Sequence, residues 1–185
     1  MTHPGYTLFD TPIGRCGVAW SVAGIVAVQL PERHEAATVA RLRRRIPKLE
    51  RSDPPAPVRQ AIAAMQRLLG GAGTELSDIV LDVSGLSPFQ RRVYRAARAI
   101  PAGQTVTYGA LAAELGQAGA ARAIGRAMGS NPFPIIVPCH RVLAAGGKAG
   151  GFSAHGGVAT KFALLRAEGA EGAGDTAERE MSGRV

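Results

Sequence analysis

The strongest constraint on the fold is a change of residue pattern at positions 85–88. Before it, short alternating and β-branched runs predict strands at 7–11, 17–22, 24–30 and 79–83, with helices at 35–46 and 58–69. After it, apolar residues at helical spacing predict helices at 88–100, 108–115, 120–128 and 160–168. We therefore expect an α+β fold, with a small α/β domain over 1–85 and a helical domain over 86–169.

The junction between the two predicted domains carries its own helix-start signal. Ser87 suits a helix cap, Pro88 suits the first helical position, and Gln90 completes a capping box. Within the first domain, the proline-rich stretch 53–57 predicts a rigid connector. Residues 170–185 alternate Gly, Ala and charged side chains, which predicts a disordered tail.

The predicted helices 108–115 and 120–128 flank a glycine-containing turn, a pattern typical of a helix-turn-helix. The second helix is rich in Ala and Gly, and it projects Arg122 and Arg126 four residues apart on one face. Such small side chains favour a close approach to DNA shape and backbone, or to the minor groove, over base reading in the major groove. The alternative is a tightly packed core helix.

The net charge of +8 is concentrated in the predicted helical domain. Residues 86–169 hold ten basic and two acidic side chains, whereas residues 1–85 hold ten and eight. This asymmetry favours a polyanionic partner held through phosphates, and the alternative is a basic surface without a partner. Arginines at 41 and 43–45 form a second cluster, for which a solvated helix face and a phosphate contact are both open.

Composition also restricts the compartment. No stretch approaches the roughly 20 apolar residues of a membrane span, and the N-terminus lacks a signal-peptide pattern. The chain has only two cysteines, Cys16 and Cys139, so we expect no disulfide framework and a cytoplasmic location. Cys16 lies in a predicted strand and is expected to be structural.

The apolar run 135–137 leads into Pro138, Cys139 and His140, which predicts a strand that delivers a thiol beside an imidazole. A cysteine is a strong nucleophile as a thiolate, and histidine is suited to take its proton near neutral pH. Neighbouring side chains on a strand point to opposite sides, so a bridging water or a turn at Cys139 is needed to couple them. The alternative for Cys139 is an inert buried thiol.

His140 then needs a carboxylate on its other ring nitrogen. Only Glu114 and Glu168 are available in this half of the chain, and Glu168 is favoured because it ends a helix that must pack back onto the domain. Asn131 can brace the turns around the thiol, or it can be an ordinary helix stop. The histidines and cysteines show no metal-ligand spacing, so we expect no metal.

Five features occur in a fixed order along the chain. They are Tyr108, the segment Ala-Arg-Ala-Ile-Gly at 121–125, Asn131, the segment Ile-Val-Pro-Cys-His-Arg-Val at 136–142, and Glu168. This set resembles the 6-O-methylguanine-DNA methyltransferase family. The resemblance covers residues 86–169 closely, whereas 1–85 is similar only in layout.

The resemblance implies a ribonuclease-H-like N-terminal domain and a helical, winged-helix-like C-terminal domain. It implies repair of double-stranded DNA by irreversible transfer of the alkyl group of 6-O-alkylguanine, and possible action on 4-O-alkylthymine. The acceptor would be the protein's own Cys139, in a single turnover after base flipping. No cofactor and no obligate protein partner are implied, and the protein would act as a monomer.

The resemblance also assigns site residues. His140 would take the thiol proton through a water, Glu168 would orient the imidazole, and Asn131 would brace the site. Tyr108 would press on the phosphate of the target nucleotide, and Arg122 would fill the gap left by the flipped base. The other implied DNA contacts are Thr107, Ala121 and Arg126, and the implied pocket residues are Val142, Phe152, Ser153 and Pro134.

Two departures from the family pattern concern the pocket. Phe152 occupies a position where many members have tyrosine, and the glycine-rich stretch 152–157 is about two residues longer than the commonest form. The preferred alkyl size is therefore left open. Two other functions for the chain are a regulatory DNA-binding protein whose thiol senses damage, and a cysteine hydrolase.

Overall fold

A computed structural model describes residues 3–170, which form two compact units. The first unit contains 3–86 together with Pro132–Ile136, and the second contains Ser87–Asn131 and 137–170. The chain mixes helices and sheet, as predicted. The predicted disordered tail lies outside the described residues except for Ala170. Within residues 3–170, no helix is long and apolar enough to span a membrane.

The first unit is built on an antiparallel sheet of three strands, β1 (Gly5–Thr11), β2 (Gly14–Ser21) and β3 (Gly24–Gln29). Gly14 and Gly24 open the second and third strands at φ 115° and 141°, values that side-chain-bearing residues rarely adopt. These strands, and the hairpin that joins the last two, confirm the sequence prediction.

Two helices belong to this unit, α1 (Glu35–Arg45) and α2 (Ala56–Leu69). Leu42 of α1 packs in a core cluster with Tyr6, Ala19 and Ala27 of the sheet. Helix α2 begins at Ala56, so the last two residues of the predicted connector 53–57 are helical. Proline is tolerated in the first turn of a helix, because the amide hydrogen it lacks has no partner there.

Cys16 lies in β2 and is fully buried. Burial raises the pKa of its thiol to about 12, although the Thr11 hydroxyl, 3.7 Å from the sulfur, opposes the shift. A thiol with this pKa is protonated and inert near neutral pH.

The predicted strand at 79–83 is wrong. Only one parallel bridge forms there, between Ile25 and Leu81, and Val80 is 66% exposed. The Asp82 carboxylate instead accepts hydrogen bonds from the Ser84 backbone N–H and hydroxyl, which turns the chain after a single bridge.

The predicted strand at 135–137 is also wrong, because this apolar segment is a turn. Prolines at 132, 134 and 138 supply no backbone N–H for a strand ladder. Ile135 adopts φ 75°, in the left-handed region that a β-branched residue rarely enters. The Pro132 carbonyl accepts from the Val28 N–H at 2.8 Å, which attaches the segment to the edge of β3.

The second unit contains four helices among its described residues: α3 (Pro88–Arg98), α4 (Tyr108–Glu114), α5 (Ala121–Gly129) and α6 (Val158–Ala167). Two short parallel strands, β4 (Val106–Thr107) and β5 (Val142–Leu143), complete it. The predicted capping box is confirmed, since Ser87 and Gln90 each accept the other's backbone N–H.

Candidate active site

Cys139 begins a single turn of 3₁₀-helix, Cys139–Arg141, directly after Pro138. The Cys139 N–H donates to the Val137 carbonyl at 2.8 Å, and the Arg141 N–H donates to the Pro138 carbonyl at 2.9 Å. The tight turn is one of the two arrangements that the sequence left open. Cys139 is 8% exposed, so its thiol is largely removed from water.

His140 and Glu168 form a fully buried pair. The Nε2 atom of His140 lies 2.8 Å from Oε1 of Glu168, and neither side chain has any exposed surface. Glu168 follows the last residue of α6 and is placed by that helix. The structure therefore brings together the histidine and the carboxylate that the sequence paired.

The opposite ring nitrogen of His140, Nδ1, is buried and has no hydrogen-bond partner among the described residues. Burial lowers the pKa of His140, against the raising effect of the Glu168 carboxylate, which favours a neutral imidazole near pH 7. An ionised carboxylate can only accept, so the ring proton belongs on Nε2. Nδ1 is then a free acceptor, which is what a proton-abstracting group requires.

Arg141 holds the other side of the same carboxylate. Its Nε donates to Oε2 of Glu168 at 2.8 Å, and its Nη2 donates to Oε1 at 2.9 Å. A third donor, Nη1, binds the Ile100 carbonyl. Burial opposes ionisation of Glu168, but the hydrogen bonds from His140 and Arg141 outweigh it and lower the pKa of Glu168 to about 2.

Asn131 is buried and fixes the chain on both sides of the segment 132–136. Its Nδ2 donates to the Val137 carbonyl at 2.8 Å, two residues before the thiol. Its side chain also hydrogen-bonds the Cys139 sulfur, which lowers the pKa of that thiol. Asn131 is thus in contact with the turn that carries Cys139.

Lys161 of α6 is completely buried beside this turn. Its Nζ donates to the carbonyls of Val142 and Ala149 at 2.7 and 2.5 Å, and it lies 5.7 Å from the centre of the Tyr108 ring. Carbonyl oxygens and a ring face stabilise a cation that has lost its water.

Opposing influences act on the thiol. Burial raises the pKa of Cys139 above its ordinary value, whereas the hydrogen bond from Asn131 and the positive charge of Lys161 lower it. Burial dominates, so the thiol is protonated at rest near neutral pH. The site therefore needs a base to form the thiolate, and it holds a cation ready to stabilise that charge.

The predicted DNA-contact residues fall in two places. Thr107 caps α4, because its hydroxyl accepts the Ala110 N–H at 3.0 Å, and half-buried Tyr108 begins that helix. Burial, followed by the charge of the Cys139 thiolate, raises the pKa of Tyr108, and the Tyr108 ring lies 5.7 Å from Nζ of Lys161. The α5 residues are Ala121, which is half-buried, and Arg122 and Arg126, which are exposed.

Helix α5 buries Ile124, Ala127 and Met128 and leaves its other face to solvent. A Cβ placed on Gly125 would meet no atom within 4 Å. The glycine is therefore not required by packing inside the unit, which removes the core-helix interpretation for this position.

The four predicted pocket residues do not all lie in the same unit. Val142 is buried and its carbonyl accepts from Lys161, Phe152 is half-buried, and exposed Ser153 donates through its hydroxyl to the Gly129 carbonyl at 3.3 Å. Pro134 belongs to the first unit with Pro132–Ile136. Across residues 3–170, no three His, Cys, Asp or Glu side chains could jointly hold a metal ion.

Sequence reasoning missed two residues of this site, Lys161 and Arg141. A signal for the first was present, because Lys161, Leu164, Leu165 and Glu168 recur at the spacing of one helix face. A lysine on the helix face that carries the Glu168 carboxylate points inward. No local pattern indicated Arg141, whose partners Ile100 and Glu168 are distant in sequence.

Comparison with known proteins shows which family the chain belongs to. Residues 88–170 match the family model described as 6-O-methylguanine DNA methyltransferase, DNA binding domain. A methylated-DNA–protein-cysteine methyltransferase of Methanothermobacter thermautotrophicus is 34% identical over 158 residues, which cover 85% of this chain and 81% of that protein. The chain belongs to this methyltransferase family.

The matched fraction of the relatives' length differs from one family member to another. The methylated-DNA–protein-cysteine methyltransferase of Salmonella typhimurium is 53% identical over 92 residues, half of this chain and 53% of that relative. The chain thus spans about half the length of the first relatives it matches. The crystal structure of Mycobacterium tuberculosis OGT in complex with DNA superposes with a TM-score of 0.69 at 33% identity, over 94% of this chain and 98% of that one.

Proposed function

We propose that this family member repairs alkylated DNA by transferring the alkyl group of 6-O-alkylguanine to Sγ of Cys139, with 4-O-alkylthymine as a second candidate substrate. The thiol loses its proton to His140, the sulfur forms a bond to the alkyl carbon, and the carbon–oxygen bond breaks. The electron pair stays on the purine oxygen, and the purine takes up the proton. The thioether is not reversed, so each molecule acts once.

The buried Nδ1 of His140 is the observation that carries this proposal. Its partner nitrogen is held by an ionised Glu168, so Nδ1 is the atom that would accept the Cys139 proton, directly or through a water. The imidazolium so formed would face the Glu168 carboxylate, and the thiolate would face Lys161 and Asn131. Each developing charge has a fixed counter-charge or dipole within the fold.

We assign DNA binding to helices α4 and α5, which would form a helix-turn-helix within a winged-helix-like domain. We assign the first unit to the ribonuclease-H-like fold class. Arg122 and Arg126 are exposed on a helix of small residues, which supports close approach along the minor groove. Arg122 would occupy the space of a flipped base, because extrusion costs a few kcal/mol that an inserted side chain offsets. Tyr108 would contact the target phosphate, and Thr107, Ala121 and Arg126 the adjoining backbone.

The flipped base would lie against Val142, Phe152 and Ser153 of the second unit, with Asn131 holding the turn that carries Cys139. No cofactor is required, because the sulfur itself is the acceptor. We expect a monomer, and we expect it in the cytoplasm, where unpaired cysteines are the ordinary state.

The experiment is a transfer assay with duplex DNA that carries 6-O-methylguanine labelled in the methyl group. Label should move to the protein at one equivalent per molecule, and peptide mapping should find it on Cys139. The variant Cys139→Ser should bind the same duplex and take no label. Label that stays on DNA when wild-type protein is in excess would contradict the proposal.

A further inference from the structure

The first unit carries a concentration of positive charge that the proposed reaction does not use. Residues 33–51 contain seven basic and two acidic side chains, whereas the remainder of 1–85 contains three basic and six acidic ones. Positive and negative side chains are therefore concentrated in different parts of the sequence of this unit, and the positive ones lie on α1 and the residues that flank it. Four of the six exposed cations, Arg33, Arg43, Arg44 and Lys48, are called the basic surface.

Internal contacts hold this helix in place and neutralise only part of its charge. Thr38 and Leu42 form the buried side of α1, and Arg41 pairs with Glu32 at 3.2 Å. The Arg43 guanidinium is held 5.5 Å from the centre of the Tyr6 ring. In the part of the chain that the structure describes, no carboxylate lies within salt-bridge distance of Arg44 or Lys48.

Helix stability does not account for the whole basic surface. Cations in the last turn interact favourably with the helix dipole, which explains a basic residue at 43 or 44. The effect does not extend to Arg33, which precedes the helix, or to Lys48, which follows it. Exposed cations that share one element repel each other, and a bound anion relieves that repulsion.

The chemistry of the surface fits phosphates. Three of its four members are arginines, whose planar fork matches phosphate oxygens, and a cation set spread over a helix and its flanks suits a repeating polyanion. We propose that the basic surface is a second contact for the DNA backbone, separate from the helix-turn-helix and independent of sequence. This proposal depends on the proposed function only because both take DNA as the binding partner.

A backbone contact of this kind would strengthen binding to undamaged DNA, where the protein searches for lesions. The phosphates could belong to the same duplex, beyond the stretch occupied by the second unit, or to a second duplex. The two sources of phosphate have the same chemistry, and binding experiments with duplexes of different length distinguish them.

The test compares two variants that each lose two positive charges from the first unit. Arg44→Gln/Lys48→Gln removes half of the basic surface, and the control Arg59→Gln/Arg67→Gln removes two exposed arginines of α2. Binding to long undamaged duplex is measured from about 50 to 200 mM salt. The basic-surface variant should lower the slope of log K against log salt by about 2, because each phosphate contact contributes about 0.9. The control variant should keep the wild-type slope.

Transfer of label from the free base 6-O-methylguanine should be equal in all three proteins, because it needs no phosphate contact. If the wild-type protein takes no label from damaged DNA, the proposed function fails. If it takes label and the two variants have the same salt slope, the basic surface is not a DNA contact. Selective loss of binding to anionic phospholipid vesicles, with an unchanged DNA slope, would also overturn the proposal.

Duplex length identifies the source of the phosphates. A contact on the same duplex predicts that the difference between the variants disappears on a duplex just long enough for the second unit. A contact on a second duplex predicts that the difference persists, and that only the basic-surface variant loses the ability to bridge two duplexes in sedimentation.

Discussion

Arg141 donates two parallel hydrogen bonds to Glu168, at 2.8 and 2.9 Å, and both side chains are buried. The same carboxylate holds His140 at 2.8 Å. Arg141, two residues after Cys139, therefore fixes the charge and position of the carboxylate that holds the His140 imidazole. The pair couples the stability of the domain to its chemistry.

Removing Arg141 should be costly to folding. Arg141→Gln leaves the buried Glu168 carboxylate with one partner fewer, and breaking a buried pair from one side costs about 3–5 kcal/mol. We expect the free energy of unfolding, measured by urea denaturation, to fall by roughly that amount. Arg122→Gln, which changes an exposed arginine of the same unit, should alter it by less than about 0.5 kcal/mol. Equal effects of the two substitutions would contradict a structural role for the ion pair.

The stability of the protein should fall in acid in two steps. Burial lowers the folded pKa of His140 below its ordinary 6.5, so the unfolded chain binds the proton first and stability begins to fall as the pH drops through that value. The pKa of Glu168 is lowered from 4.5 to about 2, so its contribution is complete above pH 4.5 and is lost as the pH falls toward 2.

The second step corresponds to about 3–4 kcal/mol, since the pKa of Glu168 falls by about 2.5 units and each unit is worth about 1.4 kcal/mol. Urea unfolding at a series of pH values measures it. Glu168→Gln should remove the step between pH 4.5 and 2 while the earlier step persists. A Glu168→Gln protein with the wild-type acid profile would show that the carboxylate is not the group responsible.

Sequence reasoning succeeded where the information was local or where the alternatives were few. The Ser87–Gln90 box depends on side chains three residues apart, and Glu168 was one of only two carboxylates available to His140. It failed at 79–83, because an apolar run does not show whether neighbouring strands will extend a ladder beyond one bridge.

The buried lysine illustrates a second limit. Burial of Lys161 depends on the carbonyls of Val142 in β5 and Ala149 in the loop after it, which lie 19 and 12 residues away in sequence. The spacing of α6 could place Lys161 on the inward face, but no sequence pattern supplied those acceptors. The composition of a site is thus more predictable than the contacts that set its electrostatics.

Lys161 should make the thiol easier to ionise. Its positive charge lowers the pKa of Cys139, so Lys161→Gln should raise the apparent pKa of that thiol and slow alkyl transfer. The measurement is the pH dependence of Cys139 alkylation by a small electrophile, with Cys16 distinguished by peptide mapping. Lys148→Gln, which removes an exposed lysine from the same unit, should leave the profile unchanged. A shift of equal size in both variants would indicate only an effect of net charge.

Gly125 tests whether α5 is shaped for packing or for DNA. A Cβ at this position meets no atom within 4 Å, and alanine is a better helix former than glycine by about 0.8–1 kcal/mol. Gly125→Ala should therefore raise the free energy of unfolding by about that much, because the site has room for a methyl group. The same methyl group would stand between the helix and a closely approaching duplex, so DNA affinity should fall while labelled transfer from the free base is unchanged. A variant that is less stable than wild type would restore the core-helix interpretation, and a variant with full DNA affinity would show that α5 does not approach DNA closely at Gly125.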